Sequence, residues 1–175
     1  VTYQRIDGKV PDKDAVQLMN AIDDHSVIAN VNATGKNSTP NGEIVVGGAF
    51  LDTDVITQDG ITKAVSFQQV NPDQLESQSN YYGKPGKDML HEITESYIAG
   101  RLSPTTSEAS SQSGAALSVY EIAHATAVPQ PGEQFEDDQD ANGKHVSQPV
   151  SGGTIIYFNQ MKGKKDNILY TYPVP

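Results

Sequence analysis

The sequence predicts an α+β fold, a small and mostly antiparallel sheet with two or three helices. Three observations carry that expectation. Short runs of β pattern stand at residues 26–31, 43–50 and 64–70, and residues 87–102 carry a helical pattern. The chain closes on two aromatic-rich runs joined by a Lys/Gly/Asn turn, the signature of a hairpin.

Taken in order, residues 1–6 form a short strand candidate closed by Asp7-Gly8. Pro11 and Asp12 open a helix whose stripe is Ala15, Val16, Leu18, Met19 and Ile22, ending near Asp23. Residues 26–31 read as a strand, residues 32–42 as turn, and residues 43–50 as a second strand followed by a bend. Residues 64–70 alternate cleanly and form a third strand. Residues 71–87 read as a polar loop with a turn at Gly83-Lys84-Pro85-Gly86. A helix then runs from Lys87 to about Leu102, bounded by Gly86 before it and Ser103-Pro104 after it. A Ser/Thr-rich linker over residues 103–113 leads to another helix from about Gly114 to Val128, stopped by Pro129 and Pro131. Residues 129–149 are acidic and irregular, and a mobile loop is expected there. Residues 153–158 and 168–172 pair as the closing hairpin across a turn at residues 162–167. No internal repeat is visible, and residues 1–175 are read as one domain.

Composition narrows the chemistry. There are 22 acidic and 12 basic residues, a formal charge of −10, and the one local Lys cluster is Lys162, Lys164 and Lys165. Phosphate binding needs a basic patch, so nucleic acid is not the expected partner. The chain has no Cys, so disulfides, thiolate nucleophiles and Cys-based zinc sites are excluded. Any metal must be held by His and carboxylate. No apolar run of membrane-spanning length occurs. Beginning at Val1 with neither Met nor a signal sequence, the chain is expected to be an excised fragment or processed product, and an extracytoplasmic or secreted setting fits the lack of Cys.

On a helical wheel of residues 87–100, Leu90, Ile93 and Tyr97 form the apolar stripe with Met89 beside them. His91 and Glu95 lie one turn apart at its border, and Glu92 sits next to His91 but is turned partly away. Side chains three or four residues apart on a helix converge on one ion, so His91 and Glu95 are candidate metal ligands. An arbitrary His-Glu-x-x-Glu on a helix is otherwise a solvated face. A third ligand must come from elsewhere. His25 follows the first helix in an acidic turn, and His145 sits in the acidic loop. His124 lies on the apolar stripe of its own predicted helix and is the candidate, with Glu121 the alternative on the same helix.

The segment Leu90-His91-Glu92-Ile93-Thr94-Glu95 resembles the zincin metallopeptidases, whose helix carries His-Glu-x-x-His. The resemblance implies that His91 is the first zinc ligand and Glu92 the general base toward water. Position 95, a His in that family, is Glu here, which gives a His, Glu, His set of the same kind in another order. It implies His124 on a later helix as the third ligand. The stretch from Leu90 to Gly100, followed by Tyr120-x-x-Ala123-His124, is similar to metallopeptidase-type toxin domains at the C-termini of large secreted bacterial proteins. A Zn²⁺-dependent peptidase acting on a peptide or protein is therefore expected, other divalent metals remaining open. Residues 43–49 or 64–70 would supply the strand edge against which an extended peptide pairs. Tyr120 is a candidate oxyanion donor, with core packing as the plainer reading. The alternative is a non-catalytic interaction domain with a structural or vestigial metal site.

Two further patterns carry less. Asp138-x-Asp140-x-Asn142-Gly143 resembles the start of an EF-hand loop, but its twelfth position is Pro149 where a bidentate Glu is needed. Gly47-Gly48 and Gly152-Gly153 are turn or bulge glycines, with no Lys-Ser/Thr following to make a phosphate loop.

Overall fold

The computed structural model describes residues 2–4, 8–103 and 118–175. Its elements are α1 (Lys13–Asp23), β1 (Val27–Ala33), β2 (Gly48–Gln58), β3 (Ile61–Val70), α2 (Pro72–Tyr81), α3 (Lys87–Leu102), α4 (Val119–Thr126), β4 (Gln134–Gln139), β5 (Thr154–Asn159) and β6 (Asn167–Pro173). The α+β class is as expected from the sequence. The strands divide into two three-stranded sheets, ordered β1-β3-β2 and β4-β5-β6. β1 pairs with β3 in parallel, and the remaining pairings are antiparallel.

β3 is the frame of the first sheet. Ala64, Ser66, Gln68 and Val70 share one face by strand alternation and are all buried. α3 lies across that face. It comes close because small residues meet there: Ser66 and Ser96 exchange a 2.8 Å hydroxyl hydrogen bond. A Cβ on Gly100 would stand 2.6 Å from the Val27 side chain. α4 packs on the other flank of α3, joining Val119 and Ala123 to Ala99 and Phe50 in the apolar core. α1 is tied to α3 at its ends, by the Asp14–Lys87 ion pair and by the Tyr97 hydroxyl, which donates to Asp24 at 3.0 Å.

The second sheet meets the first layer through α2. Gln74 donates to the Leu169 carbonyl at 3.3 Å, Ser77 bonds Asn167, and Gln78 donates to Gln134 at 3.1 Å. Its β5–β6 hairpin is the one the sequence predicts.

Several elements differ from the sequence reading. Residues 71–87 are not all loop: α2 starts at an Asn71 cap with Pro72 in its first turn. Its inward face is Gln74, Leu75, Gln78 and Ser79, mostly polar, so apolar periodicity does not mark it. The second strand starts later and runs longer than residues 43–50, because Gly47, at φ 83°, turns the chain before β2 begins. β2 returns as β3 through Asp59 and Gly60, both at positive φ, the two-residue turn that matches strand twist. Within the acidic stretch, residues 134–139 form β4 against β5. The strand expected at residues 1–6 falls partly outside the described residues, and residues 2–4 are not in a strand. The start of the helix expected at residue 114, and all of the 103–113 linker except Ser103, also lie outside them. No helix among the described residues is long and apolar enough to cross a membrane.

Candidate metal centre

α3 turns Asp88, His91, Glu92 and Glu95 inward. His91 is 2% exposed, Glu92 5% and Glu95 2%, whereas Leu90 and Ile93 are only half-buried. The sequence reading had Leu90, Ile93 and Tyr97 as the buried stripe and Glu92 turned partly away; Tyr97 is buried, but Leu90 and Ile93 are only half-covered and Glu92 is turned inward. Burying an unpaired charge costs several kcal/mol, roughly 3–5 when one partner of a buried pair is removed. These three groups must therefore find partners, and the partners define the site.

His91 Nε2, Glu95 Oε2 and His124 Nδ1 converge, all three within 4.8 Å of one another. The separations are 3.2 Å between the two imidazole nitrogens, 3.3 Å from His91 to Glu95 and 2.6 Å from His124 to Glu95. Donors at ~2.0–2.1 Å around a tetrahedral ion lie ~3.3 Å apart. Two sides of the triangle fit that geometry, and the third is a charge-assisted hydrogen bond. The donor set, two imidazoles and a carboxylate, is one that holds divalent ions. This His/Glu/His group can hold a metal ion.

The orientation of His91 is fixed from behind. His91 Nδ1–H donates to the Val128 carbonyl at 2.8 Å. A carbonyl only accepts, so Nδ1 carries a proton and Nε2 is the nitrogen turned toward Glu95 and His124. Val128 is in turn held by Thr94, whose hydroxyl accepts the Val128 N–H at 3.1 Å and donates to the Leu90 carbonyl at 2.9 Å. The two imidazole rings meet edge-on, 4.7 Å between centroids. His124, with its side chain 41% exposed, is the open side of the group.

Glu92 lies beside the triangle. Its carboxylate accepts a hydrogen bond from the Gln68 amide and presses against Gly48 of β2, where a Cβ would come within 2.0 Å of Oε2. Burial, reinforced by the Glu95 charge, holds the Glu92 carboxyl well above the usual carboxylate range. Burial alone would raise Glu95 as well, but hydrogen bonds from His124 and His91 outweigh it and hold that carboxyl low. Burial opposes protonation of His91, and its hydrogen bond with Glu95 and the charge of Glu92 reverse the balance, so its pKa is raised. The two neighbouring carboxyls are thus shifted in opposite directions.

Glu92, Glu95 and His124 open on a cavity of 190 Å³, walled also by Gly48, Phe50 and Tyr120. Tyr120 lies one turn before His124, its ring 6.3 Å from Phe50 and 5.6 Å from His124. Burial and the charges of Glu95 and Glu92 push its phenol up to about 12.

The structure thus brings His91, Glu92, Glu95 and His124 together. Glu121 is not a member of the ligand group. His25 is exposed, and His145 pairs with Asp137 at 2.7 Å. The EF-hand-like loop forms no comparable group among the described residues, and Asp140 uses one oxygen to accept the Asn142 and Lys144 N–H groups. Sequence reasoning misses Gln68, Gly48, Thr94 and the Val128 carbonyl. Of these only Gly48 had a signal, in a Gly-Gly pair, and it serves close approach rather than a turn. No family model matches the chain, and no curated protein or solved structure matches it either.

Proposed function

We propose that this protein is a metal-dependent hydrolase, with Zn²⁺ as its metal and a peptide as its substrate. The observation that carries the reading is the meeting of the donor group of buried His91 and Glu95 and half-exposed His124 with a third buried side chain, Glu92, which shares a cavity wall with Glu95 and His124. A divalent ion held there would polarise a scissile carbonyl and lower the pKa of a water toward ~7. Glu92 takes the proton from the attacking water and later passes it to the leaving amine; its raised pKa suits both transfers near neutral pH. Tyr120 keeps its proton at that pH and donates to the developing oxyanion from the cavity wall.

The substrate class rests on the sheet. β3 is central, so of the two strand edges expected from the sequence, the one at residues 64–70 is closed. β2 is an edge strand, and its first residues, Gly48, Ala49 and Phe50, line the cavity. An extended peptide adding to that edge places its backbone beside Glu92.

The test is the metal content of the purified, tag-free protein by inductively coupled plasma mass spectrometry, together with cleavage of an unfolded protein or peptide library. The expected result is about one equivalent of zinc, lost in His91→Ala. Glu92→Gln should keep its zinc and lose ~10²–10⁴-fold in cleavage rate. Absence of stoichiometric metal after zinc is offered and excess removed sinks the reading; cleavage unchanged in Glu92→Gln sinks the assigned base.

A further inference from the structure

Gln68 sits on the central strand β3 and is 1% exposed. Its amide nitrogen donates to both carboxylates of α3, to Glu92 Oε2 and, at 3.2 Å, to Glu95 Oε1. The two oxygens of Glu95 are therefore in different hands. Oε2 faces His124 and His91, and Oε1 is held by Gln68. The amide oxygen of Gln68 is buried and has no hydrogen-bond partner. That asymmetry fixes the amide: turned over, it would set its oxygen against two carboxylates and leave its NH₂ group in the unpartnered position. The nitrogen faces the carboxylates because they hold it there.

We propose that Gln68 is a positioning residue that restricts Glu95 to ligation through a single oxygen. The inference rests on the metal reading given above and deepens it. A carboxylate free to swing can offer both oxygens to one ion. With Oε1 engaged by a buried amide anchored on β3, only Oε2 remains to Glu95 for the group it shares with His91 and His124. One oxygen from Glu95 and one nitrogen from each His make three protein donors, which leaves a tetrahedral ion one position for water or substrate. A second oxygen from Glu95 would fill it. The same nitrogen holds Glu92 Oε2, so a single amide fixes the spacing between the ligand carboxylate and the proton-accepting one. Hydrogen bonds behind a ligand shape metal sites in this way, and removing one weakens metal affinity or activity ~10–100-fold.

The full chain is loaded with Co²⁺ in place of zinc, and the visible d–d absorption of wild type is compared with that of Gln68→Met. Methionine keeps the length of the side chain and removes the donor. Four-coordinate Co²⁺ absorbs several-fold more strongly than five- or six-coordinate Co²⁺. The expected result is strong absorption in wild type and a several-fold loss of intensity per bound ion in Gln68→Met. A general loss of fold would lower the number of ions bound and not the spectrum of each. X-ray absorption fine structure of the zinc-loaded wild-type chain asks the same question without a variant, and four light-atom neighbours at a single short distance are expected. A second, longer carboxylate oxygen in wild type, or an unchanged spectrum in Gln68→Met with the ion still bound, overturns this inference while leaving the metal site standing. A wild-type chain that binds no ion overturns the metal reading itself, and this one with it.

Discussion

α1 and α3 are the two helices with the clearest boundaries in the sequence, and they bury opposite kinds of surface. α1 has the cleaner apolar stripe, Ala15, Leu18, Met19 and Ile22, yet none of its residues is fully buried, and that stripe walls an open groove of 320 Å³. α3 buries Asp88, His91, Glu92, Thr94, Glu95 and Ser96 along with Tyr97, Ala99 and Gly100, while its aliphatic Leu90 and Ile93 are half-covered. Hydrophobic burial contributes ~25 cal/mol per Å² and asks nothing of geometry, so α1 can sit loosely on the surface. Buried carboxylates and imidazoles are tolerated only when every one has a partner in place. α3 is therefore held by directional contacts from α2, β3, α4 and Val128, and it tolerates far less change than α1. A helix that spends its inward face on ionisable groups is the one in which to look for chemistry.

The largest effect that would test this contrast is steric. Gly48 leaves room for Glu92, and a Cβ there would overlap the carboxylate at 2.0 Å. Gly48→Ala is expected to cost ~3 kcal/mol in urea unfolding, because the buried carboxylate cannot retreat without leaving Gln68. The double variant Gly48→Ala with Glu92→Ala should recover much of that loss, since removing the side chain restores the space. Ala15→Leu, which extends a side chain into the open groove by α1, should change stability by less than ~0.5 kcal/mol. Equal costs at the two positions would erase the distinction between the helices.

The second effect is electrostatic and has the opposite sign. Glu92 and Glu95 are both buried and reach the same amide nitrogen, an arrangement that disfavours two negative charges. Glu92→Gln keeps the volume and removes one charge. The metal-free protein, held in chelator, should gain ~1–2 kcal/mol in thermal unfolding, the trade expected where function requires a strained site. Glu92 carries a pKa raised to about 7, so its ionisation opposes folding at neutral pH, and that penalty fades as pH falls from about 7 toward the ordinary carboxylate range. The gap between variant and wild type should accordingly shrink on acidification. A variant less stable than wild type at neutral pH would mean that Gln68 and the imidazoles compensate Glu92 fully.

The same contrast explains what could be read from the sequence. α3 was legible end to end, since Gly86 and Ser103 bracket it, and His91, Glu92 and Glu95 announce themselves by type and spacing. His124 was found because few imidazoles exist and only one shares a helix face with apolar residues. The C-terminal hairpin was legible from its aromatic runs. α2 and β4 were not, because their patterns are written in polar residues: Gln74, Gln78 and Ser79 face inward on α2, and β4 is Gln-Phe-Glu-Asp-Asp-Gln. The Asn71-Pro72-Asp73 start of α2 and the Asp59-Gly60 turn before β3 did carry local signals. Gln68 was out of reach for another reason. Strand alternation places it on the face of Ser66, but nothing local says that two carboxylates cross above it. Partners separated by a helix and a loop are a property of the tertiary fold.

The smallest effect concerns the cap of α1. Asp12 accepts the Ala15 N–H at 2.8 Å, and the helix has no fully buried side chain to hold it otherwise. Asp12→Ala should lower stability by ~1 kcal/mol, and Asp12→Asn, which keeps the acceptor, should restore most of it. Zinc content should be the same in all three proteins, because the contacts of α1 with α3, the Asp14–Lys87 pair and the bonds of Asp24 with Tyr97 and Arg101, lie at its ends, and the Gln17 hydrogen bond to the Thr126 carbonyl meets α4 beyond His124. Unfolding curves and metal content measured on one preparation decide it. If zinc falls with Asp12→Ala and returns with Asp12→Asn, then α1 braces the site through those end contacts, and the loose helix is part of the machinery that the tight one displays.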